Sequence, residues 1–266
     1  LVKYDLNRER EETKMKKLLS MCFVAAMLLA GCGGEESKEK EKLTVLTNSG
    51  YPPYEVVDNK GNLSGFDIDI INAIAEETGY EIEIKDVDFD TLIPSVQTGK
   101  ADMAIAGITP SAERRKKVDF SEVYFSGETS QNYLLYSEKN GITSQDDLKG
   151  KTIGCQMGTV QYEAALHFEE TQGAKVDAKK DYAAIVAELK KGNNDAAIVE
   201  KAVAMEFSEE NPDFKYVKIN GLADLEGNAI CFKKGSPLVE EINAAIKTLK
   251  ENGTIDKLAA KYPSLK

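Results

Sequence analysis

From Lys42 to the C-terminus, apolar positions recur with strand and helix periods in alternation. Leu43-Thr-Val-Leu-Thr47 reads as a strand. Ile68, Ile70, Ile71, Ile74 and Ala75 follow the i, i+3/i+4 spacing of a helix that Asp67 can N-cap and Gly79 stops. Glu81-Ile-Glu-Ile84 has the period of two expected of a half-buried strand. Asp90 can cap a second helix through Leu92, Ile93 and Val96, ended by Gly99, and the apolar run 101–106 predicts a buried strand. The alternation then repeats. Strands are expected at 151–156, 175–178 and 195–199, and helices at 159–171 and, capped by Asp181 and ended by Gly192, up to Lys191. Two last helices, 237–251 and 255–262, are split by Asn252-Gly253. Such βαβ alternation predicts α/β architecture, parallel sheets with helices on both faces, and two groups of it predict two lobes.

The N-terminal stretch follows a different logic. Leu18–Ala30 is apolar apart from Ser20, but at thirteen residues it falls short of the ~20 that a bilayer-spanning helix needs. Met15, Lys16 and Lys17 precede it as a short basic segment, the shape of a secretory signal peptide. Residues 1–14 read as sequence upstream of a start at Met15. The run closes on Leu29-Ala30-Gly31-Cys32, which resembles the lipobox of bacterial lipoproteins. That resemblance implies a diacylglycerol on the Cys32 thiol and cleavage before it. Gly33–Lys42 (GGEESKEKEK) has no apolar period and reads as a flexible tether. The expected layout is therefore a leader over 1–31 and a tether over 32–42.

Composition narrows the chemistry. The chain carries 34 Lys+Arg against 45 Asp+Glu, a net charge of −11, which argues against a nucleic-acid binder that must displace counterions from phosphates. The single histidine, His167, sits in a helical pattern and rules out a multi-histidine zinc site. Cys155 and Cys231 fall in predicted buried strands and are expected as unpaired apolar residues. Gly158-Thr159 lacks the Gly-Lys-Ser/Thr of a phosphate loop, and no cofactor or metal motif is evident.

In open α/β sheets, ligands sit beyond the carboxyl ends of the strands. Four loops belong there: Asn48–Glu55, Gly107–Arg114, Met157–Thr159 and the position of Glu200. Arg114 offers a planar fork for a carboxylate, Gly107 a close backbone approach and Thr109 a hydroxyl. Thr159 stands at a helix start that favours anions, and Glu200 suits an ammonium. Tyr51 and Phe89 are aromatics on loops. Taken singly each has a plainer reading. Arg114 lies in an Arg-Arg-Lys-Lys run that can be solvated surface, Phe89 can be core, Thr159 a simple cap and Glu200 a solvent-facing acid. Together they describe a site for a free α-amino acid.

The joint pattern is similar to that of the solute-binding proteins of bacterial amino-acid ABC importers, the group with glutamine-binding and lysine/arginine/ornithine-binding proteins. Tyr51-Pro-Pro-Tyr-Glu55, Gly65–Ile70, Asp88–Pro94, Ala106–Thr109 with Glu113-Arg114, and Val118–Ser121 carry the resemblance, with Asn252–Thr254 and Lys261-Tyr262 later in the chain. It implies a two-lobed periplasmic-binding-protein-like fold, each lobe a sheet flanked by helices, joined by a two-strand hinge. Lobe 1 would be 43–124 with 225–266, and lobe 2 would be 125–224. It implies that Arg114 clamps the ligand carboxylate with Gly107, Thr109 and Thr159, that Glu200 takes the ammonium where the family usually has Asp, and that Tyr51 and Phe89 sandwich the side chain. Asn48 stands where relatives often carry Asp, and Asn48, Glu55, Gln131 and Gln156 are candidate side-chain readers for a polar or basic amino acid (arginine, lysine, histidine or glutamine). The expected partners are that amino acid, an importer permease with its ATPase, and the membrane through Cys32. The protein would act as a monomer on the outer face of the cytoplasmic membrane, without cofactor. Two other readings stand beside it: an enzyme on the same scaffold, dehydratase or lytic, with Glu55 or Glu200 as acid or base, and a ligand-loaded sensor acting through a membrane partner.

Overall fold

The computed structural model describes residues 41–266, so the leader, Cys32 and nearly all of the tether lie outside the described residues. Two five-stranded sheets organise the chain. The first is built from β1 (Lys42–Thr47), β4 (Glu81–Asp86), β5 (Met103–Ala104), β6 (Asp119–Phe120) and β12 (Cys231–Phe232), in the order β4-β1-β5-β12-β6. A small hairpin of β2 (Val56–Val57) and β3 (Leu63–Ser64) sits before its first helix. The second sheet holds β7 (Asn132–Ser137), β8 (Thr152–Gln156), β9 (Lys175–Lys179), β10 (Ala196–Glu200) and β11 (Phe214–Lys218), in the order β11-β7-β10-β8-β9.

Both sheets are mixed, which corrects the expectation of parallel sheets. β1 runs parallel to β4 and β5, and β10 and β9 run parallel to β8. β12 is antiparallel to β5 and β6, and β7 is antiparallel to β10 and β11. The antiparallel strands are those where the chain enters and leaves the second sheet. β7 and β12 follow connecting segments rather than crossover helices, so helix periodicity could not announce them, whereas β11 follows α6 (Lys201–Glu210) and returns beside β7.

Strand alternation divides the core between two faces. In β10, Ala197 and Val199 join one apolar cluster and Ala196 and Ile198 another. In the first sheet Val45, Met103 and Phe232 face one way, and Leu46, Ala104 and Cys231 the other. Helix α1 (Phe66–Thr78) lays Ile70, Ile71 and Ile74 against the first sheet together with Ile242, Ile246 and Leu249 of α7 (Leu238–Glu251). Each such side chain, fully buried, contributes about 1.5–3 kcal/mol of transfer free energy. Cys155 and Cys231, the cysteines among the described residues, are buried and free, one in each sheet, and burial pushes each thiol up to about 12.

Helix starts are set less simply than the caps suggested. α1 begins after Gly65, not at an Asp67 cap, because Asp67 is buried and directed elsewhere. Gly65 has φ of 128°, and a Cβ there would lie 2.2 Å from the Tyr54 carbonyl oxygen, so this entry demands glycine. α2 (Phe89–Gln97) starts after Asp88, whose side chain caps nothing, and Asp90 is its second residue. Thr159 and Asp181 do cap. They accept from Tyr162 N and Ala184 N at the starts of α4 (Val160–Gln172) and α5 (Tyr182–Lys191).

The chain crosses between the sheets twice, and the crossings pair with each other. Tyr124 N donates to Asn228 O at 3.0 Å, and Asn228 N to Phe125 O at 2.8 Å. No helix among the described residues is long and apolar enough to cross a membrane.

Candidate functional site

Between the two lobes lies a narrow, nearly closed void. Its wall comes from the carboxyl ends of strands in both sheets. The first lobe supplies Asn48 and Tyr51 after β1, Phe89, Gly107 and Thr109 after β5, and Arg114 from α3 (Ala112–Arg115). The second supplies Gln156 and Thr159 after β8, Val160 and Gln161 at the start of α4, Tyr182 after β9 and Glu200 ending β10. The fold thus brings together Asn48, Tyr51, Phe89, Gly107, Thr109, Arg114, Gln156, Thr159 and Glu200.

Arg114 and Glu200 are the only charged side chains on that wall, and they come from opposite lobes. Arg114 is buried although it stands in a basic run, because its guanidinium turns inward. Nη1 donates to Thr109 O and Nη2 to Gly158 O, each at 2.9 Å, and the group lies 5.4 Å from the Phe89 ring centre. Burial pulls its pKa down from the ordinary value, yet an arginine stays charged. Gly158 must be small for this approach: a Cβ there would lie 3.1 Å from Asp90 Cβ of the facing lobe.

Glu200 is 1% exposed. Its Oε2 accepts from Tyr54 Oη at 2.8 Å, and its backbone N–H donates to Tyr51 Oη at 3.1 Å. Desolvation lifts its pKa to about 8; the Tyr54 hydrogen bond opposes that rise and the Asp67 charge adds to it. Among the described residues no cation offsets the burial, so the acid is set to receive one. The void also meets the first turn of α4, where Thr159 Oγ1 is fixed by Gln156 O at 2.7 Å and early N–H groups lack intrahelical partners.

At the other end, Gln156 Nε2 donates to Asn48 Oδ1 and to Lys180 O, both at 2.8 Å, while Asn48 Nδ2 donates to Val87 O at 2.8 Å. Three tyrosines stack across the cleft. Tyr51 lies between Tyr54, at 5.7 Å, and Tyr182, at 4.6 Å.

Two sequence candidates stand elsewhere. Glu55 is fully buried behind the Tyr51–Tyr54 turn and does not line the void. Burial, and after it the charge and hydrogen bond of the neighbouring Asp67, raise its pKa well above the usual range. Asp67 explains that neighbourhood: it accepts from Gly107 N at 2.7 Å and Tyr124 Oη at 2.8 Å, anchoring the Gly107 loop from behind. Gln131 is absent from the wall because it straps the connecting segments, donating to Leu225 O at 3.1 Å and accepting from Leu225 N at 3.0 Å. Sequence reasoning missed Tyr182 and Gln161. Tyr182 follows the Asp181 cap at the carboxyl end of β9, so the rule that flagged Thr159 marks it equally.

Residues 43–264 match the family of bacterial extracellular solute-binding proteins, family 3. The arginine-binding extracellular protein ArtP of Bacillus subtilis is 36% identical, over 93% of this chain and 98% of its own length. Among solved structures, an ancestral arginine-binding protein bound to arginine superposes with a TM-score of 0.78 at 36% identity, over 84% of this chain and 99% of that one. The structure described as an ancestral arginine-binding protein bound to glutamine gives 0.76 at 36% identity, over 85% and 99%.

Proposed function

The chain belongs to the bacterial extracellular solute-binding proteins, family 3, and we propose that it binds a free polar or basic L-amino acid between its lobes and hands it to an ABC importer. The observation that carries this reading is the pairing of one buried cation with one buried acid across a single void, Arg114 from one lobe and Glu200 from the other. A zwitterion fits such a pair. Its carboxylate meets the Arg114 fork, Thr109 and the start of α4, and its ammonium meets Glu200. Gly107 lets the ligand backbone come close, and Phe89 and Tyr182 bound the space for the side chain, while Tyr51, held between Tyr54 and Tyr182, presents its edge rather than a face.

The relatives named above bind arginine, and one solved homologue holds glutamine, which supports a polar side chain of that size. Lobe 1 is taken as 43–124 with 225–266 and lobe 2 as 125–224. A ligand that touches both favours the closed form through its differential affinity, and that form is what a permease would recognise. The lipobox-like Cys32 makes the protein a surface lipoprotein in this reading, tethered by 33–42 to the outer face of the cytoplasmic membrane.

A thermal-shift screen against the common amino acids, on protein refolded to remove carried-over ligand, tests this. A ligand at 100 times its Kd adds about 2.7 kcal/mol of apparent stability. A shift with arginine, lysine, histidine or glutamine supports the reading; no shift with any amino acid refutes it. Cys32→Ala should release the protein from the cell surface into the medium, and retention would remove the anchor.

A further inference from the structure

This inference rests on the amino-acid reading and extends it to the side-chain end of the void. If Arg114 and Glu200 serve the ligand's carboxylate and ammonium, no formal charge remains on the wall for a side chain. What remains is a set of neutral groups. Gln161 Nε2 is taken by Asn132 Oδ1 at 3.0 Å. Gln156 has both Nε2 hydrogens engaged, on Asn48 Oδ1 and Lys180 O, so its remaining capacity is the acceptor Oε1.

Tyr182 is the unassigned member. It is 2% exposed and lines the void; its Oη makes no hydrogen bond of normal geometry among the described residues and has only a looser approach from the Tyr51 hydroxyl. Its ring lies 4.6 Å from that of Tyr51, with 33° between the planes. A buried hydroxyl so weakly partnered is a cost, and a ligand donor placed against its oxygen would reduce that cost. We propose that Tyr182 is a ligand-contacting specificity residue, its Oη accepting, together with Gln156 Oε1, from a side chain that ends in a planar array of N–H donors: a guanidinium or a carboxamide.

Two physical differences then separate ligands of similar length. A guanidinium is planar, weakly hydrated and stacks on aromatic faces, so neutral acceptors and tyrosine rings suffice for it. An alkyl ammonium is a compact, strongly hydrated charge that needs a carboxylate once desolvated, and the wall has none to spare. The site should therefore rank planarity above charge.

The test is calorimetric titration of the full chain, freed of bound ligand, with L-arginine, L-citrulline (the uncharged counterpart of arginine), L-glutamine and L-lysine. Arginine and citrulline should bind within about tenfold of each other, and lysine about 100-fold more weakly than arginine. Tyr182→Phe removes only the oxygen. It should weaken arginine and citrulline about five- to tenfold while leaving the melting temperature of the ligand-free protein equal or higher. Gln156→Glu should narrow the gap between lysine and arginine by supplying the missing carboxylate. Lysine bound as tightly as arginine with citrulline excluded, or Tyr182→Phe at full affinity, would overturn this assignment and leave the amino-acid reading in place. Binding of none of the four by the unaltered protein would overturn both.

Discussion

Glu200→Gln should stabilise the ligand-free protein and abolish its binding. The carboxyl has a pKa of about 8 in the fold against 4.5 ordinarily. Between those values the folded protein holds a proton that the unfolded chain has lost, so stability falls as pH rises from 4.5 to 8. At pH 7 the accumulated cost is about 3 kcal/mol, from 1.36 kcal/mol per unit over the interval from 4.5. Glutamine keeps the shape and can still accept from Tyr54 Oη, but it carries no proton linkage. Urea midpoints at pH 5, 6, 7 and 8 should place the variant above the unaltered protein at pH 7 by up to about 3 kcal/mol, with little difference at pH 5. Glu55 and Asp67, both shifted upward mainly by burial, impose slopes of the same sign on both proteins; the part of the Glu55 shift that comes from the Glu200 charge is lost in the variant and adds to the difference in its favour. Calorimetry should show at least ~100-fold weaker L-arginine binding, because the ligand ammonium loses its anionic partner. A variant less stable than the unaltered protein at pH 7, or one with the same pH slope, would refute the argument, since either result requires Glu200 to be ionised and paired in the empty cleft.

Other substitutions separate the remaining groups. Arg114→Ala removes the carboxylate partner and the bond to Gly158 O across the cleft; titration should detect no amino-acid binding, and survival within a few-fold would remove Arg114 from the site. Glu55→Gln should change arginine and glutamine affinities by the same small factor, because Glu55 is off the wall; a selective loss of the cationic ligand would return it to the specificity set. Gly65→Ala combines positive φ with a 2.2 Å approach to Tyr54 O and should cost upward of about 2 kcal/mol by urea denaturation. An unchanged midpoint would show that the α1 entry can adopt another path.

Much of this site was legible because the sequence places its chemistry at strand ends. Gly107, Thr109, Arg114, Thr159 and Glu200 each follow a run whose apolar pattern marks a strand, and the α/β rule points there. Glu55 and Gln131 misled for opposite reasons. Glu55 sits four residues from Tyr51 on the wall, yet the Tyr51–Tyr54 turn rotates it behind the stack, where it meets Asp67. Gln131 is at a lobe crossing, and its partner Leu225 is distant in sequence, so no local pattern reveals the strap. Asp67 and Asp90 looked like caps by position, but Gly65 and Asp88 start those helices. Side-chain preference for a cap is weak when a buried acid has two better donors, here Gly107 N and Tyr124 Oη. The strands β6, β7 and β11 escaped, and β12 was expected only around Cys231, because the two-residue members have no period to read and β7 is entered from a connecting segment without an α-helix.

The strand order of the first sheet sets a timetable for synthesis. β12 lies between β5 and β6, so β6 stays unconnected to the three strands β4, β1 and β5 made with it before the second lobe until Cys231 and Phe232 arrive to bridge them. The second sheet, by contrast, draws all five strands from the continuous stretch 132–218. A ribosome therefore releases a lobe able to complete its ladder while the lobe begun earlier still has an open gap at its centre. Until the last residues emerge, that gap exposes paired-edge backbone and the apolar faces of α1, surfaces that invite association with other nascent chains. Chains shortened before α7 should leave the lobe that starts first as the one that never closes.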